Sequence, residues 1–457
     1  MRKSSENFDV CIIGAGIAGG TLAAYLGKQG LKVCVVEKSL VEQERIVGEL
    51  LQPGGVMKLK EMSMEHLLEG FDAQPVYGYG LFMHGDSFQV SYSSTKDKEV
   101  VGYGFRNHKF ISRIRAYLKT LPSVCLIEGT VNELVEENGR VEGIRYFTKV
   151  EKEEHTIYAG LTVVCDGMFS LFREGLAINE KKLSSYFMGL VLKDCKLPYP
   201  NHGHVIVAKP SPCLVYPISS TETRILIDFP QTEAPRKSME MNEYLNNTIL
   251  PQLPASIKPS FISAIEEGKF KVMPNHYFPA KPMLKPGAVL IGDSLNMRHP
   301  LTGGGMTAAL TDIKLLGDLV KAVDKSKSNI QFDEIVKTFY QTRHKQNATI
   351  NILADALYGV MRNEDLKVAC YDYLKRGGVY AEEPVSLLSA VSRDQDLLLR
   401  HFFAVALYGI KNLPNIKRIN RSRRMLHDAV DIVSPLVLNE NPGLLTKYAF
   451  KVSRAIF

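Results

Sequence analysis

The spacing of apolar residues divides the chain into stretches of three kinds. Phe8 to Ile13 is apolar almost throughout, as in a strand buried on both faces, and Lys32 to Glu37 repeats the pattern. Between them Gly14-Ala15-Gly16-Ile17-Ala18-Gly19 predicts a tight turn and Gly20 to Gln29 a helix. Arg106 to Leu121 predicts a second helix, and Val124 to Val164 several short strands. In two stretches, Leu81 to Gly104 and Ser185 to Phe229, the period drops to two, as in an antiparallel sheet with one face on a core. Asn242 to Glu267 predicts one helix, KPGAVLIGDS returns the chain to the first unit, and a helix follows Met306 to about Val323. From Phe332 onward the pattern is helical.

The expected fold class is therefore α/β (α+β). A Rossmann-like nucleotide domain (1–80, 105–184 and 285–345) carries an inserted antiparallel-sheet substrate unit (81–104 and 185–284), and a helical region (346–457) follows.

The two glycine-rich turns carry the chemistry. GAGIAGG sits between strand and helix with Glu37 ending the next strand, the context that a dinucleotide fingerprint requires. Its glycines Gly14, Gly16 and Gly19 suit a tight turn, close approach to a pyrophosphate and helix packing, and Glu37 suits ribose hydroxyls. Far along the chain, VLIGDSLNMRHPLTGGGMTAALTD passes Asp293 and reaches Gly303, Gly304 and Gly305 at the start of a helix. Bare amides at a helix N-terminus favour an anion, whereas Asp293 would repel phosphate but accept bonds from hydroxyls. FAD offers both features side by side. Arg45, in RIVGELLQPGG, and Arg115 suit phosphate or ribose oxygens. Asp166 at a strand-to-helix turn suits a helix cap as well as a ligand.

Composition adds limits. At 457 residues the chain needs two or three structural units, and 45% hydrophobic with 23% charged residues is ordinary for a folded protein. The formal charge of +7 comes without a nucleic-acid motif, so no nucleic-acid partner is expected. Seven widely spaced cysteines without CxxC suit free thiols in a reducing compartment. No metal-ligand spacing stands out. No apolar run reaches the length of a spanning helix and no signal peptide is visible. The C-terminal stretch differs: Leu397 to Ile410 is intensely apolar, and Lys411 to Arg424 carries six basic and no acidic residues. Ala429 to Leu438 and LLTKYAFKVSRAIF follow, and apolar helices joined by a cationic stretch suit an anchor lying on membrane lipids.

Taken together, these motifs resemble flavoprotein monooxygenases of the hydroxylase type. In local sequence RIVGELLQPGG, LEGFDAQPVYGY, LTVVCDGMFSLFR, NMRHPLTGGGMT, NILADALY and HFFAVALYGI are similar to the squalene epoxidase family. The resemblance implies epoxidation of squalene to 2,3-oxidosqualene in sterol biosynthesis, by O2 activated as a flavin C4a-hydroperoxide. It places FAD contacts on Ile17, Ala18, Glu37, Lys38, Arg45, Leu50, Arg115, Val131, Asp293 and Met306, and an active-site tyrosine at Tyr79. Phe187, Leu190, Tyr216, Pro300 and Phe402 are the expected walls of an apolar substrate pocket. One dinucleotide fingerprint is present, and the resemblance implies electrons from NADPH through a separate flavoprotein reductase, at the cytosolic face of the endoplasmic reticulum or a lipid droplet; direct, transient NADPH binding stays open. Two other readings stay open: another FAD monooxygenase or prenyl-lipid reductase of the same fold, and a non-catalytic escort protein.

Overall fold

The computed structural model describes residues 7–46, 48–92, 100–148, 153–178, 180–230, 238–323, 328–413, 418–441 and 443. The first sheet is built where the sequence is most continuously apolar. Val124–Glu128, Val33–Glu37, Asn7–Ile13 and Glu154–Val164 lie side by side and parallel, with Val10 opposite both Val33 and Leu161. Glu154–Val164 has two further neighbours on its free edge. Ala288–Leu290 pairs in parallel with its C-terminal half, and Arg140–Phe147 pairs antiparallel with its N-terminal half. The strand that precedes the second glycine-rich loop thus ends beside the strand that precedes Asp166. Helices Ile17–Lys28, Asn107–Leu118 and Gly305–Lys321 cover the sheet, and Val10, Ile12, Val35, Leu161, Val163, Leu22 and Leu310 form its dry core.

The second sheet has seven strands, in the order Lys271–Tyr277, Lys182–Lys193, Glu222–Pro230, Cys213–Pro217, Gly203–Ile206, Gly78–Met83 and Asp86–Ser91. It departs from the expected antiparallel sheet at one pairing: Gly203–Ile206 runs parallel to Gly78–Met83, with Gly203 opposite Tyr79. The expected unit boundaries at 80/81 and 184/185 both fall inside strands of this sheet, Gly78–Met83 and Lys182–Lys193. A change of period reads late when a strand opens on glycine and serine.

Alternation along the strands separates the two faces of the sheet. Met188, Leu190, Leu192, Val215, Ile225 and Ile227 pack with Phe261 of helix Lys258–Glu267 on one side. Tyr79, Phe187, Leu214, Tyr216 and Leu226 face the other. The single helix expected over Asn242 to Glu267 is broken into Ser238–Tyr244, a pair of short turns, and Lys258–Glu267. Pro251, Pro254 and Pro259 remove amide donors in that interval.

Between the sheets, Leu50–Leu51, Gly102–Gly104 and Gln74–Val76 form a small third sheet. Arg106 ties the units together, donating at 2.5 Å to Glu44 and at 2.6 and 2.7 Å to Glu222.

The C-terminal region is helical as expected: Ser328–Arg362, Glu364–Lys375, Val379–Leu388, Gln395–Lys411 and Arg418–Glu440. The basic stretch expected to join two helices is partly helix itself, since Arg418, Arg421, Arg423 and Arg424 occupy the first turns of Arg418–Glu440. Among the described residues no helix is long and apolar enough to cross a membrane. LLTKYAFKVSRAIF lies outside the described residues.

Candidate active site

A cavity of about 810 Å³ lies where the two sheets meet. Its walls come from the two glycine-rich turns, the arginine-bearing loop and the inner face of the second sheet.

At the nucleotide end the cradle is mostly backbone. Gly14, Gly16, Ile17 and Ala18 line it. A Cβ added at Gly16 would meet nothing within 4 Å and would project into the open cradle, whereas one at Gly19 would lie 2.0 Å from the Gly14 carbonyl. Gly19 therefore closes the turn and does not line the cavity. Glu37 Oε2 accepts from the Ala15 amide at 2.6 Å and lies 3.3 Å from Arg115 Nη2. Arg115 is fixed by donating to the Ala15 and Ser39 carbonyls at 2.9 and 3.1 Å. Lys38, Arg45, Leu50 and Val131 complete this end.

The second glycine-rich loop closes onto the first. Gly292 has φ +68°, and a Cβ there would come within 3.1 Å of Ala18 Cβ, so only glycine lets the two loops approach. Asp293 follows, with Arg298, Arg45 and Arg173 around it; burial raises its carboxyl and these three cations oppose the rise. Pro300, Leu301, Gly303, Gly305 and Met306 line the cavity. Helix Gly305–Lys321 has no side-chain cap, which leaves its first amides available there, and a Cβ at Gly305 would again meet open space. Gly304 turns away, packed on Ile350.

The sheet end is apolar with a few fixed polar groups. Leu214, Leu226, Met273, Leu357, Met361 and Leu388 line it. Tyr79 donates to Gln52 Oε1 at 2.8 Å, Tyr92 donates to the same oxygen at 3.1 Å, and Gln52 Nε2 donates to the Thr302 carbonyl at 2.8 Å. Gln52 thus links Tyr79 to the glycine-rich loop. Burial pushes the Tyr79 phenol up to about 12, so it stays protonated at neutral pH. Tyr216 lines the cavity near the buried Glu49–Arg224 pair, whose two bonds measure 2.7 and 2.9 Å.

Three expected pocket residues lie elsewhere. Leu190 is three positions from Phe187 on one strand, so it points to the opposite face and into the helix-covered core. Phe187 is on the correct face but fully buried behind the lining, edge-on to His299. Phe402 packs among the C-terminal helices. Sequence reasoning missed Gln52, Arg298, Asn275 and Leu226. Asp166 does not cap the following helix, whose N-cap is Phe172 without a side-chain bond; its Oδ2 accepts from the Leu171 amide at 3.0 Å within the turn, and its Oδ1 is buried without a partner in a residue that lines the cavity.

That pattern of unpaired atoms tests the fit of FAD. Arg298 Nε, Asp166 Oδ1, Asn275 Oδ1, Asn107 Oδ1, His204 Nδ1 and Thr302 Oγ1 are buried, lack partners and belong to lining residues, a mixture of donors and acceptors that suits an occupant with both kinds of group. With the open space at Gly16 and Gly305, the residues suit a dinucleotide carrying hydroxyls.

Comparison with known proteins agrees with the motifs. Residues 158–426 match the family model for squalene epoxidase, and residues 12–40 that for an NAD(P)-binding Rossmann-like domain. Squalene epoxidase 1 of Arabidopsis thaliana is 45% identical over 97% of this chain and 87% of its own length. The chain belongs to the squalene epoxidase family. Squalene monooxygenase of Mus musculus is 38% identical over 94% of this chain and 78% of its own. Among solved structures, a flavoprotein/dehydrogenase from Cytophaga hutchinsonii shares the fold, with a TM-score of 0.74 and 17% identity over 89% of this chain and all of its own. A probable FAD-dependent monooxygenase from Pseudomonas aeruginosa does so with a TM-score of 0.66 and 18% identity over 78% of this chain and 97% of its own. The squalene epoxidase fold of this chain is thus that of a flavoprotein, with the cavity between its two sheets.

Proposed function

We propose that the chain is an FAD-dependent squalene monooxygenase, converting squalene and O2 to 2,3-oxidosqualene and water with two electrons drawn from NADPH through a partner reductase. The carrying observation is the continuity of one cavity from a backbone cradle at Gly14 to Ala18 to an apolar wall at Leu226 and Leu357. Bound FAD supplies the redox chemistry and the activation of oxygen; the chain binds, orients and keeps water out.

In this reading the amides of the first turn and those after Gly304 hold the pyrophosphate and the electron-rich edge of the ring. Glu37 takes ribose hydroxyls, Arg115 and Arg45 take phosphate oxygens, and Asp293 takes the ribityl hydroxyls. Squalene has no polar group, so its affinity rests on buried area, about 25 cal/mol per Å². Tyr79 shapes the junction between ring and alkene through Gln52. Exposed Leu407, Ile419 and Leu438 on the C-terminal helices, with the arginines near Ile419, support contact with membrane lipids on the cytosolic side.

The test is direct. Purified protein should show flavin absorbance and, with reductase, NADPH and squalene, yield 2,3-oxidosqualene by mass spectrometry. FAD binding without that product would remove the substrate; a colourless protein would favour an escort role. Product formed with NADPH and no reductase would remove the partner.

A further inference from the structure

The inner face of the second sheet carries one group of polar side chains that the proposed function leaves unused. Ser185 and Asn275 are paired across adjacent strands, Asp228 lies on the next strand, and His299 enters from the glycine-rich loop. Ser185, Asp228 and His299 are fully buried and Asn275 is 1% exposed. Ser185 Oγ makes three close hydrogen bonds, with Asp228 Oδ1 at 2.6 Å, His299 Nε2 at 2.9 Å and the Asn275 carboxamide at 2.9 Å, while the Tyr358 hydroxyl, bonded to Asp228 Oδ2 at 3.3 Å, also lies near it. One hydroxyl has one proton to give and two lone pairs to receive, so the role of each neighbour can be solved.

His299 is the fixed point. Its Nδ1 accepts from the Leu301 amide at 3.2 Å, so the ring proton of the neutral imidazole is on Nε2 and is donated to Ser185. Burial lowers the pKa of His299, which favours that neutral form. Asp228 is an acceptor: Tyr358 donates to its Oδ2 at 3.3 Å, and 2.6 Å is the length of a hydroxyl bonded to a carboxylate. The Ser185 proton therefore goes to Asp228. The carboxamide must then donate, and Asn275 Nδ2 does so. Its carbonyl is left over. Asn275 Oδ1 is buried, has no partner, and belongs to a residue that lines the cavity beside Met273.

We propose that Asn275 is a positioning residue whose Oδ1 accepts a hydrogen bond from a ring N–H of bound FAD, its direction set by His299 through Ser185. The inference rests on the FAD site proposed above. An amide free to turn could present either end; here the loop that carries the three glycines selects the acceptor end. Flavin offers such a donor on its pyrimidine edge in both redox states, and gains another on the central ring when reduced.

The experiment is FAD titration of the purified full chain by flavin fluorescence quenching, with the midpoint potential measured by dye equilibration. Neither readout needs reductase or squalene. Asn275→Leu should weaken FAD binding about fivefold, the weight of one hydrogen bond. An equal loss for oxidised and reduced FAD assigns the donor present in both states. A loss confined to reduced FAD, with the potential lower by about 20 mV for this two-electron couple, assigns the donor gained on reduction. Ser185→Ala, which frees the amide to turn, should give a smaller loss in the same direction. If Asn275→Leu does not fold, Asn275→Ala reads the same quantity. Unchanged affinity and potential in a folded Asn275 variant would overturn the proposal while leaving the FAD site standing; a wild-type chain that binds no FAD would overturn both.

Discussion

The two ends of the cavity are built from different material. At the nucleotide end the two turns present main chain to the cavity, where side chains matter chiefly by their absence at Gly16 and Gly305, and polar side chains such as Glu37, Arg45 and Arg115 stand around them. At the sheet end the surface is side chain, and the backbone matters only by deciding which residues of each strand face inward. A backbone cradle tolerates little change in its own residues but is indifferent to most of its surroundings. A side-chain wall behaves oppositely: single residues can change, and the packing behind them sets the outcome.

Substitutions at the glycines should break the comparison most severely. In Gly19→Val the new side chain has no space against the Gly14 carbonyl, 2.0 Å from the Cβ position, so both folding and FAD binding should fail. Gly16→Val should keep the melting temperature and lose FAD affinity by about 100-fold, since the side chain fills the cradle and separates the ligand from several amides. Melting curves with flavin fluorescence titration check both; equal behaviour of the two variants would mean that the turn does not divide these tasks.

A pair on the second sheet sharpens the other side. Leu190→Ala and Leu226→Ala remove the same atoms from buried positions on opposite faces. Each should cost about 2–5 kcal/mol of stability. Only Leu226→Ala should also raise KM for squalene, by about tenfold. A KM change in Leu190→Ala would place that residue in the pocket after all.

The smallest effect is expected where the two ends meet. Tyr79→Phe leaves Gln52 Oε1 its bond from Tyr92. FAD affinity should be unchanged and turnover should fall by about twofold to tenfold; steady-state kinetics with equal turnover in the two proteins would remove Tyr79 from the site.

The same division decides what could be read from sequence. GAGIAGG, Glu37 and the Gly303 to Gly305 run were legible because backbone binding imposes a residue type at a fixed spacing. Gln52 was not, since an N-cap glutamine before a proline carries no such rule, and its partners Tyr79, Tyr92 and Thr302 are distant in the chain. Leu190 was misplaced by a single error of parity, which reverses the facing of a strand residue. Phe402 belongs to an apolar helix whose packing partners are other helices, and periodicity cannot name them. The broken helix after Ser238 was legible in principle, through three prolines that the apolar pattern outweighed.

The parallel pairing of Gly78–Met83 with Gly203–Ile206 also bears on how the chain is made. Gly78–Met83 can form a hairpin with Asp86–Ser91 at once, but its other edge is completed by residues translated roughly 120 positions later. At 5–20 residues per second that strand edge, with Tyr79 on it, stays unpaired for about 6–25 s on the ribosome. Such an edge is a template for pairing with other chains. The order of synthesis therefore leaves the Tyr79 hairpin with an open edge well before any cofactor can be bound, as it does Asn7–Ile13, whose partner Glu154–Val164 is made about 150 positions later.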